Sequence, residues 1–256
     1  MQKMTLSAAG LMSMGLAMAG QTASADFQNV SIEQHTTVSI GGSDYDVFRV
    51  YANFSDPNDR LVAIFGSPTL GSLTIESRNS DDTGVGGAVY NAPGMGNLAP
   101  TEDQIATNPD REWDTFGTIG LSVWEQSPYG NMAAITPQFP NLEGTTYTMS
   151  NGAWYIVPTF DHDNNAGTPQ IPPPQTQAGW TGDGDVALRV LALQLTVPAG
   201  GNVRGIINID WFPPPGQGQG EAVVHQPFQT FNSFTVPGPG SLTLLGLAAL
   251  LRRRRR

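Results

Sequence analysis

Cysteine is absent from the chain, which excludes disulfides, thiolate metal sites and a cysteine nucleophile. Lysine is nearly absent: Lys3 is the single one, so no Gly-rich loop can place a lysine on a phosphate further along the chain. No segment of the body repeats apolar residues at helical spacing between capping residues. There is no Gly-x-Ser-x-Gly elbow and no His-Glu-x-x-His pair. The three histidines, His35, His162 and His225, are scattered at spacings that define no metal or catalytic set, and each reads as structural or surface-lying. These absences leave hydrolysis by a carboxylate pair open, because any two of the 22 acidic residues can meet in a fold. Nothing in the sequence singles out such a pair.

What the chain does have is negative charge. Its formal charge is −10, and all 22 acidic residues lie between Asp26 and Glu221. That span holds six basic residues, Arg49, Arg60, Arg78, Arg111, Arg189 and Arg204, for a net −16. So acidic a body stays dissolved, tolerates salt, attracts divalent cations and repels nucleic acid and anionic lipid. With about 210 residues between the two ends, it is long enough to bury a core without disulfides.

The ends differ from the body. Residues 1–25 carry Lys3 near the start, an apolar stretch of Leu, Met, Ala and Gly, and the small-residue site Ala23-Ser24-Ala25. That layout predicts a secretory signal peptide cleaved after Ala25. Residues 236–256 open with Val236, Pro237, Gly238 and Pro239. They continue through an apolar run containing Leu242, Leu244, Leu245, Leu247, Leu250 and Leu251, and close on Arg252, Arg253, Arg254, Arg255 and Arg256. Arginines packed beside an apolar segment stay on the cytoplasmic face. As a helix, residues 241–251 would span roughly 16 Å against a hydrocarbon core of about 30 Å. That length suits a transient membrane stop better than a permanent span.

This tail resembles the PEP-CTERM sorting domain of exported bacterial proteins. The resemblance rests on Pro237 and Pro239, the apolar run and the terminal arginines, with Gly238 standing where the family usually carries Glu. It implies export machinery and an exosortase-type membrane protease as partners. The destination it implies is the cell surface or extracellular matrix, after transient anchoring through the C-terminus.

Between the ends the texture is β. Residues 45–53 alternate with apolar side chains on both faces, which predicts a central strand. Further strands are predicted at 36–40, 60–65, 72–76, 115–123, 145–149, 153–157, 186–197, 203–211 and 226–236. The Asp56-Pro-Asn-Asp59 turn predicts a hairpin of the second and third segments. The connection at 198–202, with two glycines, predicts another between the two longest strands. With 30 glycines and 20 prolines supplying turns, the expected architecture is an all-β, single β-sandwich or jelly-roll-like domain over residues 26–235 with long Gly/Pro-rich loops. The segments 49–66 and 113–120 also resemble a module recurring in exported bacterial surface proteins, which implies a secreted β-domain and carries over no catalytic residue.

One polar loop invites a cofactor. Asp161, Asp163 and Asn165 place oxygens at alternate positions, and Asp183 and Asp185 supply more if the intervening Pro-rich loop folds back, so calcium is the candidate ion. The pattern departs from an EF-hand, with Gly167 at the seventh position and Pro172 at the twelfth, and a plain polar turn remains the alternative. Trp124, Trp154, Trp180 and Trp211 form either a sugar-stacking platform or core anchors. The function expected first is therefore a structural or adhesive protein of the surface or matrix, with extracellular polysaccharide as a candidate partner. The alternatives are a secreted carbohydrate-binding module and, after it, a secreted glycan hydrolase.

Overall fold

Strands dominate wherever β-branched and aromatic residues alternate between turn formers. The computed structural model describes residues 26–57, 59–123, 133–135, 142–156, 188–213 and 223–234. Among them are β1 (Phe27–Ile40), β2 (Ser43–Phe54), β3 (Arg60–Gly66), β4 (Leu73–Arg78), β5 (Phe116–Gly117) and β6 (Ala133–Ile135). They are followed by β7 (Thr146–Met149), β8 (Gly152–Ile156), β9 (Arg189–Pro198), β10 (Asn202–Phe212) and β11 (Val224–Asn232). A six-residue helix, α1 (Glu102–Thr107), is closed by a capping box between Thr101 and Gln104, and a 3-10 turn (Pro109–Trp113) follows it. The helix buries no side chain, so it has no apolar stripe to read in the sequence.

The strands form two antiparallel sheets, as the all-β sandwich-like reading expects. The first runs β1-β2-β9-β5. β1 and β2 make a hairpin through Gly41 and Gly42, whose φ angles of +58° and +83° suit a tight mirror-image turn. The second sheet is organised around β10. One of its edges pairs with β11; the other is shared, β4 taking residues 202–206 and β3 residues 208–212. β7 and β8 pair onto β4 and β3 in the same way, and β6 lies beyond β8. β3 and β4 thus act as one strand interrupted by residues 67–72, where Ser67 and Gly71 bond each other's backbone.

The core lies between the sheets. Phe48, Val50, Ala52 and Phe54 of β2, with Leu193, Leu195 and Val197 of β9, face Ile64, Leu73, Ile75, Val203, Ile207, Ile209 and Trp211. Burying each large apolar side chain is worth about 1.5–3 kcal/mol. Trp154, fully buried, ties the sheets together by donating its indole N–H to Ala192 O at 3.1 Å. The β2–β9 register slips beside it, between Val50 and Tyr51, leaving Ala192 without a partner in β2. Thr118 N donates to the same oxygen at 3.0 Å.

Both expected hairpins are corrected. β2 and β3 lie in different sheets, and so do β9 and β10. The turns are present where their residues require them, with Gly201 N donating to Pro198 O and Gly200 at φ +80°. Each carries the chain over the edge of the sandwich. A corner and a hairpin need the same turn residues; what separates them is that all four strands need partners from elsewhere on their edges. The strand expected at 115–123 shrinks to Phe116–Gly117, and Thr118 and Gly120 reach β9 through single N–H bonds. β1 starts at Phe27, nine residues before the expected segment, because its N-terminal half alternates too weakly to read.

Gly117 sits so close to the Trp154 indole that a Cβ there would lie 2.8 Å from ring carbon Cδ2. Gly117→Ala is expected to destabilise the domain by about 1–3 kcal/mol through overpacking, measured by urea denaturation. A stability unchanged from the parent would mean that the indole is not wedged there.

Candidate functional site

The residues singled out in the terminal segments and the polar loop lie outside the described residues. They are Ala23 and Ala25, Val236 to Pro239, the tail leucines and arginines, and Asp161, Asp163, Asn165, Asp183 and Asp185. So do Trp124, Trp180 and His162. Trp154 and Trp211 are buried core anchors, so neither can offer a face to a sugar.

The two sheets differ in what covers them. On the first, the outward residues Val47, Tyr51, Gln194 and Thr196 are buried, and the segment between β4 and β5 bonds to Gln194 and Thr196. Gln194 Nε2 donates to the carbonyls of Glu112 and Asp114, Arg49 Nε donates to Gln194 Oε1, and Tyr90 N donates to Thr196 O. The Arg189 guanidinium lies 3.8 Å from the Tyr51 ring centroid. The second sheet turns an open face outward.

That face follows from pairing, since cross-strand partners point the same way. One row reads Thr146, Glu76, Arg204 and Asn232; the next reads Thr148, Thr74, Ile206 and Thr230. Thr146, Thr148, Ile206, Thr230 and Asn232 are exposed. Thr74, Glu76, Arg204, Ile206, Thr230 and Asn232 line an open trough of about 500 Å³, with the backbone of Gly205 and Phe231 in its floor. The charges at its end pair off. Arg204 reaches Glu76 at 2.8 Å and Asp82 at 3.7 Å, and Arg78 reaches Asp82 at 3.2 Å and Glu76 at 3.6 Å. Two of the body's six arginines neutralise two carboxylates here, making this a locally neutral zone on a strongly acidic protein.

At the other end of the trough stands Phe228, 61% exposed. β11 bulges there: between the Ile207–Gln229 and Ile209–Gln226 pairs it carries two residues, Pro227 and Phe228, against Asn208 alone. Phe228 adopts φ +56°, a conformation costing a non-glycine residue on the order of 1–3 kcal/mol. Its N–H is held by the buried Asn208 Oδ1 at 3.0 Å. The Asn208 amide nitrogen donates to Phe65 O at 2.9 Å and Gly71 O at 2.7 Å. The Phe228 ring rests on Gly71, where a Cβ would come within 2.4 Å of ring atom Cε1. Beyond Asn208 the face continues through Tyr155, Ala63, Asp210 and His225. His225 Nδ1 lies 2.6 Å from Asp210 Oδ1, and the edge of its ring meets Phe65. Burial pushes the Asp210 carboxyl up from its ordinary value, and the hydrogen bond and charge of His225 oppose that.

Sequence reasoning missed Asn208 and Phe228. Two signals point to them: Pro227 inside a strand, which marks a bulge or edge, and the outward set Arg204, Ile206, Asn208 and Asp210 along β10.

Among the described residues two carboxyls are fully buried, Asp59 and Asp114. Burial pushes Asp114 up to about 7, against the opposing N–H bonds of Ala92 and Thr115. Its Oδ1 accepts from Ala92 N at 2.7 Å, and its Oδ2 has no partner among the described residues. Burial raises Asp59 to about 6, with the Asp56 N–H opposing at 3.1 Å. A folded-state value above the unfolded one means that the native state binds the extra proton, so stability falls as pH rises from about 4 towards 7. Asp114→Asn removes the titration and keeps the acceptor for Ala92. The urea midpoint of the parent is expected to drop between pH 5 and pH 8, and the variant to lose on the order of 2 kcal/mol of that dependence. Identical slopes in both proteins would contradict the assignment.

Comparison with known proteins finds no matching family, no similar curated protein and no similar solved structure.

Proposed function

We propose that the chain is an exported bacterial protein of the cell surface or extracellular matrix, structural or adhesive in type, sorted by its C-terminal tail. The observation that carries this reading is the tail itself: a proline-flanked entry, ten apolar-rich residues and five arginines closing an otherwise acidic protein. A segment of that kind has its free-energy minimum at a lipid boundary, with the arginines on the cytoplasmic side. A protease cutting near Pro237 would then release the acidic body outside the membrane.

The way the body is tied off supports the same reading. Asp26 follows the expected signal cleavage and is built into the first sheet: its N donates to Ser55 Oγ at 2.8 Å and its carbonyl accepts from Ser55 N at 3.0 Å. A free α-ammonium at Asp26 keeps that donor. Phe27 pairs with Phe54 and packs edge-on against its ring at 5.7 Å. At the other end Ser233 Oγ accepts from Val203 N at 2.8 Å, and Ser233 N donates to Val203 O at 2.9 Å. The fold is fastened at both ends, at Asp26 and Ser233, just inside the two expected processing sites.

Mass spectrometry of the protein recovered from a native surface fraction tests this. The expected species begins at Asp26 and ends near Pro237. Recovery of a chain still carrying Arg256 would overturn the sorting reading, and a mature N-terminus inside β1 would overturn the assignment of the leader.

A further inference from the structure

We propose that the outer face of the second sheet, from the Phe228 ring along the trough to Asn232, is a docking site for an uncharged, hydroxyl-rich polysaccharide. The proposal deepens the matrix reading by naming a partner, and it rests on that reading only for where the two would meet.

The first observation is the ring. Phe228 is a large apolar side chain at 61% exposure, held in a left-handed backbone that a phenylalanine does not adopt unaided. Asn208 fixes that backbone through the Phe228 N–H, and the absent side chain at Gly71 makes room for one edge of the ring. The result is a supported ring turned to solvent rather than a core residue that failed to pack. Strain maintained by a buried hydrogen-bond network around an exposed group is typical of ligand clamps. A pyranose presents a face of C–H bonds bordered by hydroxyls, which is what an open phenyl face beside polar side chains accommodates.

The second observation is the trough that leads away from it. Thr230 lies two residues along β11 from Phe228, and Thr74 three residues beyond Gly71, on which the ring rests, so the ring is a near neighbour in the chain of two residues that line the trough. Its volume of about 500 Å³ is that of a small-ligand site. Its walls alternate hydroxyl, amide and charged groups around the aliphatic Ile206, which matches a polymer of hydroxyls and C–H patches. Because Arg78 and Arg204 are each paired with Glu76 and Asp82, the charges of this stretch are matched among themselves. The surrounding net charge of −16 turns away anionic polymers. Charge therefore selects an uncharged partner at the one neutral stretch described above.

Affinity electrophoresis of the purified full chain in native gels tests the proposal, with hydroxyethylcellulose and dextran as neutral probes and alginate as the anionic one. A neutral probe is expected to retard the protein, alginate to leave it unretarded, and the retardation to persist at about 0.5 M salt, where surface charge is screened. Phe228→Gly should weaken retardation at least tenfold while its melting temperature holds or rises, because glycine adopts positive φ freely. Phe228→Trp should keep it. Failure of both neutral probes to retard the parent would overturn the proposal, as would retardation by alginate instead. Undiminished binding by a folded Phe228→Gly variant would overturn the role of the ring. Binding is read in vitro and export from the surface fraction, so either can fail without the other.

Discussion

The second sheet depends on the buried amide of Asn208. Where residues 67–72 interrupt the strand formed by β3 and β4, Asn208 stands opposite Phe65, the last residue of β3 in the ladder with β10, and the bulge of β11 leaves Phe228 without a ladder partner on the other side. Gly71 O also accepts from Ser67 N at 2.9 Å, so Asn208 is its second donor, and leaving a buried backbone group unpaired costs roughly 1–3 kcal/mol. One planar amide carries two donors and an acceptor, and Asn208 spends all three on these groups. Aspartate lacks the donors and leucine lacks everything. The interruption, the bulge and the left-handed Phe228 thus meet at one side chain.

The two sheets also differ on their outer sides. Outside the first sheet the segment holding α1 bonds to Gln194 and Thr196 and carries the buried Asp114. Sealing a carboxylate there makes the covering layer sensitive to pH, since the proton Asp114 gains on burial is lost near neutrality. The second sheet keeps its outer rows of threonine, asparagine and paired charges open. A face that stays in water keeps the residues water tolerates. The acidic remainder serves solubility.

Much of the fold was legible because burial imposes a period of two. Residues 45–53 read as a central strand and are one, flanked by β1 and β9. The segments at 60–65, 145–149 and 203–211 fall within a residue or so of β3, β7 and β10. Topology was not legible. A turn such as Pro198–Asn202 is chosen for its φ angles, and those do not say whether the next strand pairs back or crosses to the other sheet. The Trp154 bond to Ala192 was hidden as well, because a register slip is a property of two strands and leaves no mark on either alone. At the candidate site the outward set on β10 was visible in the alternation. Its meaning was not, since Asn208 looks like any polar residue until the strand opposite is seen to be broken.

Amide hydrogen exchange at Phe228 tests the central claim most directly. If Asn208 holds that N–H, the parent protein should protect it about as strongly as the β10 amides of the sheet interior. Asn208→Ala should speed its exchange at least a hundredfold, roughly the loss of 3 kcal/mol of local stability. An unprotected Phe228 amide in the parent, or one whose exchange the substitution leaves unchanged, would show that the sheet is held together by something else.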